Sequence, residues 1–216
     1  MAAREEIRQG VVRRPRLTGA QRQRVIVDAA AEVFAQRGYE GARLEEIASA
    51  AGVSKALIYE HFDGKRELYA TIMRKGTDES LGLVLQAASA GQDSKNQLER
   101  GLRAFLDFVA DQPNVWRVIE QEVSDPEIIA LDQSRQQRGE KAIAALLAAD
   151  QEIARQELDS DQIDLFAVMI NGATVRASNW WIDNPHVDRD YVLECLMSFL
   201  WLGIERLRTR EAQIPV

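Results

Sequence analysis

Side chains suited to ionic contacts, hydrogen bonds and methyl contacts are concentrated between residues 43 and 65. They are basic, hydroxyl-bearing, imidazole or small apolar groups: Arg43, Ser54, Lys55, Ala56, Leu57, Tyr59, His61 and Lys65. A lysine ammonium can donate to O6 and N7 of guanine, and alanine or leucine methyl groups can contact the thymine methyl. Lys65, at the start of the following helix, and the remaining groups can bind phosphate oxygens. These side chains act together only if the backbone brings them to one surface.

The pattern around these residues predicts two short helices separated by a tight turn. Apolar residues of the first helix recur at three- and four-residue spacing, which defines one buried face: Leu44, Ile47, Ala48 and Ala51. Gly52 lies where a chain leaving a helix often needs a positive φ, and Ser54 can cap the second helix. Ile58 and Phe62 would pack on the first helix, which leaves Lys55 on the outer face. Such a helix–turn–helix places its second helix in the major groove, although an αα-corner of any helical protein has the same spacing.

The distribution of charge favours the DNA-binding interpretation. Residues 1–75 contain 14 Lys and Arg against 10 Asp and Glu, a net charge of +4. Residues 76–216 contain 13 against 24, a net charge of −11. Positive charge is therefore confined to the part of the chain that contains the motif, and the acidic remainder would be repelled by phosphates.

Length and composition bound the class of protein. The 216 residues are 46% hydrophobic, enough for a real core and one or two domains. No run of about 18 apolar residues occurs, so we expect no membrane partner, and the charged N-terminus is unlike a secretory signal. A single cysteine, Cys195, excludes an internal disulfide and fits a cytoplasmic location. Residues 1–17 are arginine-rich and predict a flexible basic arm, or a plain disordered tail.

Helical periodicity continues along the rest of the chain, so the predicted fold class is all-α. A long helix should start after Asp63-Gly64 and run towards Ala90. Further helices are predicted over about 95–110, about 114–123, from Pro126 onward, about 161–182 and about 188–209. We therefore predict a helix–turn–helix DNA-binding domain at 18–66 and a second helical domain at 67–216.

The segment Arg24–Met73 resembles the N-terminal domain of the tetracycline-repressor (TetR) family of transcriptional regulators. The shared features include Phe34, Gly38, Ile47-Ala48, Ala51-Gly52-Val53-Ser54, Ile58-Tyr59, His61-Phe62, Lys65 and Glu67-Leu68. The chain departs from the family pattern just before the second helix, where Ala42 and Arg43 replace Thr and then Ser or Thr. The usual phosphate contact is therefore not carried over to Ala42, and Arg43 could supply a charged contact instead.

The resemblance implies that the second domain binds a small ligand and that its last two helices pair with a second subunit. Candidate pocket residues are aromatic or polar side chains of the middle helices and the helix after them: Phe105, Phe108, Trp116, Glu120, Asn171, Thr174 and Trp180. Candidate dimer-interface residues lie on the last two helices: Ile163, Phe166, Leu196, Phe199, Leu200 and Gly203. Ordinary core packing is the alternative for both sets. The aromatic lining favours an apolar ligand.

The sequence does not favour an enzyme. The only two histidines are His61 and His186, and no metal-ligand, nucleophile-elbow or phosphate-loop motif occurs. We therefore expect no cofactor and no metal. The resulting hypothesis is a homodimeric, ligand-responsive repressor that binds a palindromic DNA operator and whose ligand shifts it to a state of lower operator affinity. The alternative is a helical small-molecule-binding or catalytic protein in which the helix–turn–helix is only structural.

Overall fold

The computed structural model describes residues 18–156 and 158–209, and the predicted arm 1–17 lies outside this range. The helices are α1 (Gly19–Gly41), α2 (Leu44–Ala51), α3 (Lys55–Tyr59), α4 (Lys65–Ser89), α5 (Ser94–Asp111), α6 (Pro113–Ile119), α7 (Pro126–Ala149), α8 (Gln151–Ala154), α9 (Ser160–Asp183) and α10 (Arg189–Arg208). The described residues form no strand, and the predicted all-α class is confirmed. In the part of the chain that the structure describes, no helix is long and apolar enough to span a membrane.

Local sequence signals set the ends of the first three helices. Thr18 caps α1: its Oγ1 accepts from the Gln21 N–H at 3.2 Å, and the Gln21 side chain accepts from the Thr18 N–H at 2.8 Å. Gly38 has φ 74°, which interrupts α1 near its end without terminating it. Gly52 has φ 65° at the end of α2, and the Ser54 hydroxyl accepts from Leu57 N–H at 3.2 Å.

The N-terminal helices share one apolar core with parts of α6 and α7. Its largest members are fully buried side chains: Ile26, Phe34, Ile47, Ile58, Leu68, Tyr69 and Ile72. The cluster follows α4 to Met73, beyond the predicted boundary at residue 66, and includes Val118 and Ile128. The DNA-binding domain is therefore packed directly on the larger domain.

The larger domain is built from α5, α7, α8, α9 and α10 around a second apolar cluster. Leu102, Leu106, Ile170 and Leu193 are among its buried members. α6 ends at Ile119, earlier than the predicted residue 123. The short α8 was not predicted, because four residues are too few to show a helical period; Asp150 caps it by accepting from two backbone N–H groups.

Candidate DNA-binding surface and effector cavity

α3 presents most of the predicted DNA contacts to solvent. Ser54, Lys55 and Ala56 are exposed, and Tyr59 is 53% exposed, whereas Leu57 is half-buried. The opposite side of the helix is anchored because Ile58 is completely buried. Among the predicted contacts outside α3, Arg43 is exposed immediately before α2. A short helix held by its buried face and free on its outer face can enter a major groove.

Lys55 does not stand free on this surface. Its Nζ donates to Glu45 Oε1 on α2 at 2.6 Å and lies 5.8 Å from the ring centroid of Tyr59. The hydrogen bond from Lys55 lowers the pKa of Glu45, and the same bond raises the pKa of Lys55. Both side chains are substantially exposed, so a base edge or phosphate can compete for the ammonium. Contact with DNA by Lys55 would therefore replace an intramolecular ion pair.

Lys65 and His61 differ from the sequence prediction. The Lys65 Nζ donates to the backbone carbonyls of Tyr39 at 2.8 Å and of Glu40 and Ala42 at 3.3 Å, and lies 4.7 Å from the Tyr39 ring centroid. Lys65 thus closes the C-terminal end of α1, where carbonyl groups lack helical partners, and its ammonium is not free for a phosphate. The Nε2 atom of His61 is buried and has no hydrogen-bond partner among the described residues.

The larger domain encloses a cavity of about 180 Å³ between α4, α5, α7 and α9. Its wall is mainly apolar, and α6 and α10 also contribute to it. Four of the seven predicted pocket residues line it: Phe105, Trp116, Asn171 and Thr174. Leu85 of α4 and Leu146 of α7 also line it and are 40% and 37% exposed, so the cavity opens to solvent between these two helices. Trp116 and Thr174 are buried and belong to the closed end.

The other three predicted pocket residues lie outside the cavity wall. Phe108 is 2% exposed and packs in a small cluster with Val109 and Ile119. Glu120 forms an ion pair with Arg135 at 3.0 Å instead. Trp180 is 53% exposed on the outer side of α9. Helical spacing groups residues by face, but the packing of neighbouring helices decides which face meets the cavity.

A polar cluster lies at the closed end, and the sequence analysis identified only Glu120 among its charged members and missed Arg135. Arg135 lines the cavity and is held by Glu120 and by Asp132, whose Oδ1 lies 2.7 Å from Nη2. Glu120 also accepts from Asn179 Nδ2 at 3.1 Å, and Asn179 accepts from Trp116 Nε1 at 2.8 Å. A signal was present in the sequence, because Arg135 is the single charged residue in an otherwise apolar or small stripe of α7: Leu131, Arg135, Gly139, Ala142 and Leu146.

The cavity is joined to the DNA-binding domain through α4 and α6. The hydroxyl of Tyr69 on α4 donates to the Val118 carbonyl on α6 at 2.7 Å. The Gln121 side chain after α6 accepts from the Tyr39 N–H of α1 at 2.9 Å. A Cβ placed on Gly76 of α4 would lie 2.6 Å from a methyl of Val115 on α6, so glycine permits this close approach.

Two ion pairs of Arg66 complete the contact between the domains. Its Nε lies 2.8 Å from Asp125 Oδ2, and its Nη1 lies 2.7 Å from Glu127 Oε1. Burial opposes ionisation of Asp125, but hydrogen bonds from Arg66 and from two backbone N–H groups outweigh it and lower the pKa of that carboxyl. These pairs join residues about sixty positions apart, so no local pattern indicated them.

An exposed apolar face covers α9 and α10. Its large members retain 45% or more of their accessible surface: Leu165, Val168, Met169, Trp180, Tyr191, Phe199 and Leu202. Among the predicted dimer residues, Phe199 is 73% exposed and Gly203 is also exposed. Leu196 and Leu200, at 5% and 6%, instead belong to the core of their own chain.

Ile163 and Phe166 are half-buried and pack against that core. Large contiguous apolar faces of this kind are uncommon on monomers and mark interaction sites. Phe199 and Gly203 therefore remain candidates for a subunit contact. The apolar character of Leu196 and Leu200 is accounted for by packing within their own chain.

The similarity to known proteins covers both domains. Residues 26–72 match the family model described as bacterial regulatory proteins, tetR family, and residues 94–203 match the one described as tetracyclin repressor-like, C-terminal domain. The HTH-type transcriptional activator FasR of Mycolicibacterium smegmatis is 29% identical over 195 residues, covering 89% of this chain and 87% of that protein. The negative transcriptional regulator IcaR of the Staphylococcus aureus biofilm operon is 41% identical over 81 residues, covering 38% of this chain and 44% of that one.

Solved structures share the same fold. A TetR-like transcriptional regulator from Rhodococcus sp. RHA1 superposes with a TM-score of 0.75 at 25% identity, covering 88% of this chain and 99% of that chain. The Bacillus subtilis regulator FadR, solved in complex with stearoyl-CoA, has a TM-score of 0.67 at 20% identity, covering 86% and 97%. Since the C-terminal family model alone spans half of the sequence, this chain belongs to the tetR family of bacterial regulatory proteins and is a DNA-binding transcriptional regulator.

Proposed function

We propose that two copies of this chain bind one palindromic operator in the cytoplasm, without catalysing a reaction, and repress transcription until a small apolar effector occupies the cavity. The observation that carries this proposal is the double role of α4. Leu68 and Ile72 of α4 belong to the core of the DNA-binding domain, while Leu81 and Val84 of the same helix line the cavity. A ligand that changes the position of α4 must therefore change the position of the recognition helix.

The exposed apolar face of α9 and α10 supports a homodimer. A single short recognition helix reads few bases, and a two-fold dimer doubles the contact at half-sites about 34–36 Å apart. Such an interface is isologous, so the apolar groups of one copy meet those of the other. The partner we propose is therefore a second copy of this chain.

Cys195 offers a direct probe of this interface. It is exposed on α10 and lies in the shallow groove that also includes Trp180 and Phe199. In a dimer that uses this face, alkylation of Cys195 by a maleimide should be slow and should accelerate on dilution below the dimer dissociation constant. Fast, concentration-independent alkylation would place the interface elsewhere.

The shape of the cavity supports an elongated apolar effector. Its wall follows α4 from Thr77 to Ala88, which corresponds to roughly 16 Å at about 1.5 Å rise per residue. A molecule longer than the cavity can extend through the mouth between Leu85 and Leu146. Molecules with an alkyl chain fit this shape, and the stearoyl-CoA bound to FadR is one member of that class.

The test of the proposed function has two stages. Fragments of genomic DNA bound by the purified protein are first selected and sequenced, and a palindromic consensus is expected. Alkyl-chain compounds are then titrated into the operator complex, and those that enter the cavity should release the DNA because the coupling between two sites is reciprocal. Failure to enrich any sequence would refute operator binding by this chain.

Substitutions in the cavity wall test whether the release of DNA by the effector depends on this cavity. Thr174→Trp should fill the closed end and abolish the response to effector while DNA affinity is retained. Ala142→Phe narrows the cavity from α7 and serves as a second variant, since the buried Thr174 is the more demanding position for a large side chain. An unchanged response in a folded Ala142→Phe protein would place the effector outside this cavity.

Activation of transcription is a second candidate function. It is favoured by the name of FasR, which matches a larger share of this chain than IcaR does. FasR of M. smegmatis is named an activator and its match covers 89% of this chain. IcaR is named a negative regulator and its match covers 38% of this chain. A reporter gene placed under the selected operator decides between the two. Repression predicts higher expression when the regulator is deleted, and activation predicts lower expression.

A further inference from the structure

We infer that the inner end of the effector carries an uncharged hydrogen-bond acceptor, such as a ketone, ester or amide carbonyl, which Arg135 binds, and that the cavity rejects a carboxylate there. This inference rests on the effector site of the proposed function and specifies its chemistry. Its basis is the composition of the polar cluster at the closed end of the cavity.

Arg135 is a cation whose charge is already more than balanced. Its Nε donates to Asp132 Oδ1 at 2.8 Å, and its Nη2 lies at ion-pair distance from the same oxygen (2.7 Å) and from Glu120 Oε1 (3.0 Å). Two carboxylates therefore face one guanidinium, which gives the cluster a net charge of −1. Arg135 and Glu120 are only 14% and 15% exposed, so water screens these charges weakly.

One edge of the guanidinium remains available to a ligand. Nε donates to Asp132 and Nη2 forms ion pairs with both carboxylates, whereas Nη1 has neither a hydrogen-bond nor an ion-pair partner among the residues that the structure describes. Because Arg135 lines the cavity beside Trp116 and Thr174, a ligand that fills the closed end can reach its guanidinium, where Nη1 is the nitrogen left to donate. The Thr174 hydroxyl already donates to the Ile170 carbonyl at 2.8 Å, so Arg135 is the stronger donor at this end.

The charge of the cluster decides which acceptor is bound. A buried carboxylate requires an uncompensated cation, and none is present here because Glu120 and Asp132 neutralise Arg135. An uncharged carbonyl needs only a hydrogen bond, which Nη1 can donate, and its binding buries no additional charge. A bare alkyl end would leave that donor without a partner.

The test uses two probes of equal size, methyl nonyl ketone and decanoate, which differ only in whether a methyl group or a charged oxygen stands beside the carbonyl. Calorimetric titration should show that the wild-type protein binds the ketone at least about tenfold more tightly than decanoate. The stretching band of an isotope-labelled carbonyl in the bound ketone should lie at lower frequency than in an apolar solvent, which reports the hydrogen bond. An unshifted band would mean that Arg135 does not bind the carbonyl.

A charge variant separates this mechanism from a general preference of apolar cavities for neutral molecules. Asp132→Asn removes one negative charge, while the new amide oxygen can still accept from Arg135. It should strengthen decanoate binding about three- to tenfold and leave ketone binding within about twofold. Glu120→Gln makes the same change of charge and is the second variant. Asp78→Asn is the matched control, because Asp78 pairs with Arg138 at 2.8 Å on the exposed surface.

The outcomes distinguish this inference from the proposed function. If neither probe binds, an alkyl effector in this cavity is wrong, and the inference is wrong with it. If both probes bind and the ratio of their affinities is the same in wild type, Asp132→Asn and Asp78→Asn, the effector class stands and the selection against carboxylates is refuted. Tighter binding of decanoate than of the ketone by the wild type would also refute it.

Discussion

Replacing Phe199 by glutamate should produce a folded monomer that no longer binds its operator. Phe199 is 73% exposed in the single chain, so its own core loses little when the ring is removed. Full burial of a phenylalanine side chain stabilises by about 3 kcal/mol. Burying the part of Phe199 that is still exposed would therefore contribute about 2 kcal/mol to a subunit contact. A two-fold interface contains two copies, so the variant loses about 4 kcal/mol, or about a thousandfold in the dimer dissociation constant.

The neighbouring residue Leu196 provides the matched contrast. It lies on the same helix one turn earlier but is 5% exposed and packs in its own core. Leu196→Arg should therefore bury an unpaired charge and destabilise the fold itself. Thermal unfolding followed by circular dichroism should show near-wild-type stability for Phe199→Glu and a loss of cooperative unfolding for Leu196→Arg.

Sedimentation equilibrium and operator titration complete this experiment. Phe199→Glu should sediment as a monomer at concentrations where the wild type is a dimer, and operator affinity should fall with it. A Phe199→Glu protein that remains dimeric and binds the operator normally would refute the assignment of this face to the interface. A monomeric wild-type protein would refute the homodimer altogether.

Three further perturbations address the contacts between and within the domains. Lys65→Met should lower the melting temperature of the DNA-binding domain, because it leaves carbonyls at the end of α1 without this donor. If Lys65 only bound phosphate, the substitution would lower DNA affinity and leave the melting temperature unchanged. Tyr69→Phe should cost about 1 kcal/mol of unfolding free energy in denaturant titration because the buried hydrogen bond from its hydroxyl to the Val118 carbonyl is lost. Asp125 has a lowered pKa, so the stability from its pair with Arg66 is complete above the ordinary value of 3.8 and is lost as the pH falls through the folded pKa. Asp125→Asn should consequently unfold with a flatter dependence on pH in that acidic window than the wild type, and parallel curves would contradict the assignment.

The helix–turn–helix could be predicted from the sequence because its signals are local. The spacing of Ile47 and Ala48, the positive φ at Gly52 and the cap at Ser54 each depend on residues within one or two turns. Such signals do not depend on how distant parts of the chain pack. The same local reasoning could not reveal that Lys65 binds the end of α1, because those carbonyls lie more than twenty residues away.

The cavity and the apolar face were less accessible to sequence reasoning. α10 is apolar on two sides, and periodicity alone cannot say which side meets α5 and which side meets solvent. Leu196 and Phe199 differ by only three positions, yet one is core and the other is surface. Trp180 was misplaced for the same reason, and Arg135 was not identified because its ion pairs join it to Glu120 on a different segment of the chain.

The ion pair between Lys55 and Glu45 has a consequence for the thermodynamics of the search for an operator. When a lysine binds a phosphate or a base, the DNA releases condensed cations, and binding weakens as salt is added. For Lys55 to make such a contact it would first have to leave Glu45, and the freed carboxylate would then take up a cation from solution. The net ion release would therefore be smaller, by about one ion per copy of the chain, than a count of basic contacts gives. Glu45 would in this way act as an internal counterion and weaken encounters with non-specific DNA relative to what the charge of Lys55 alone implies.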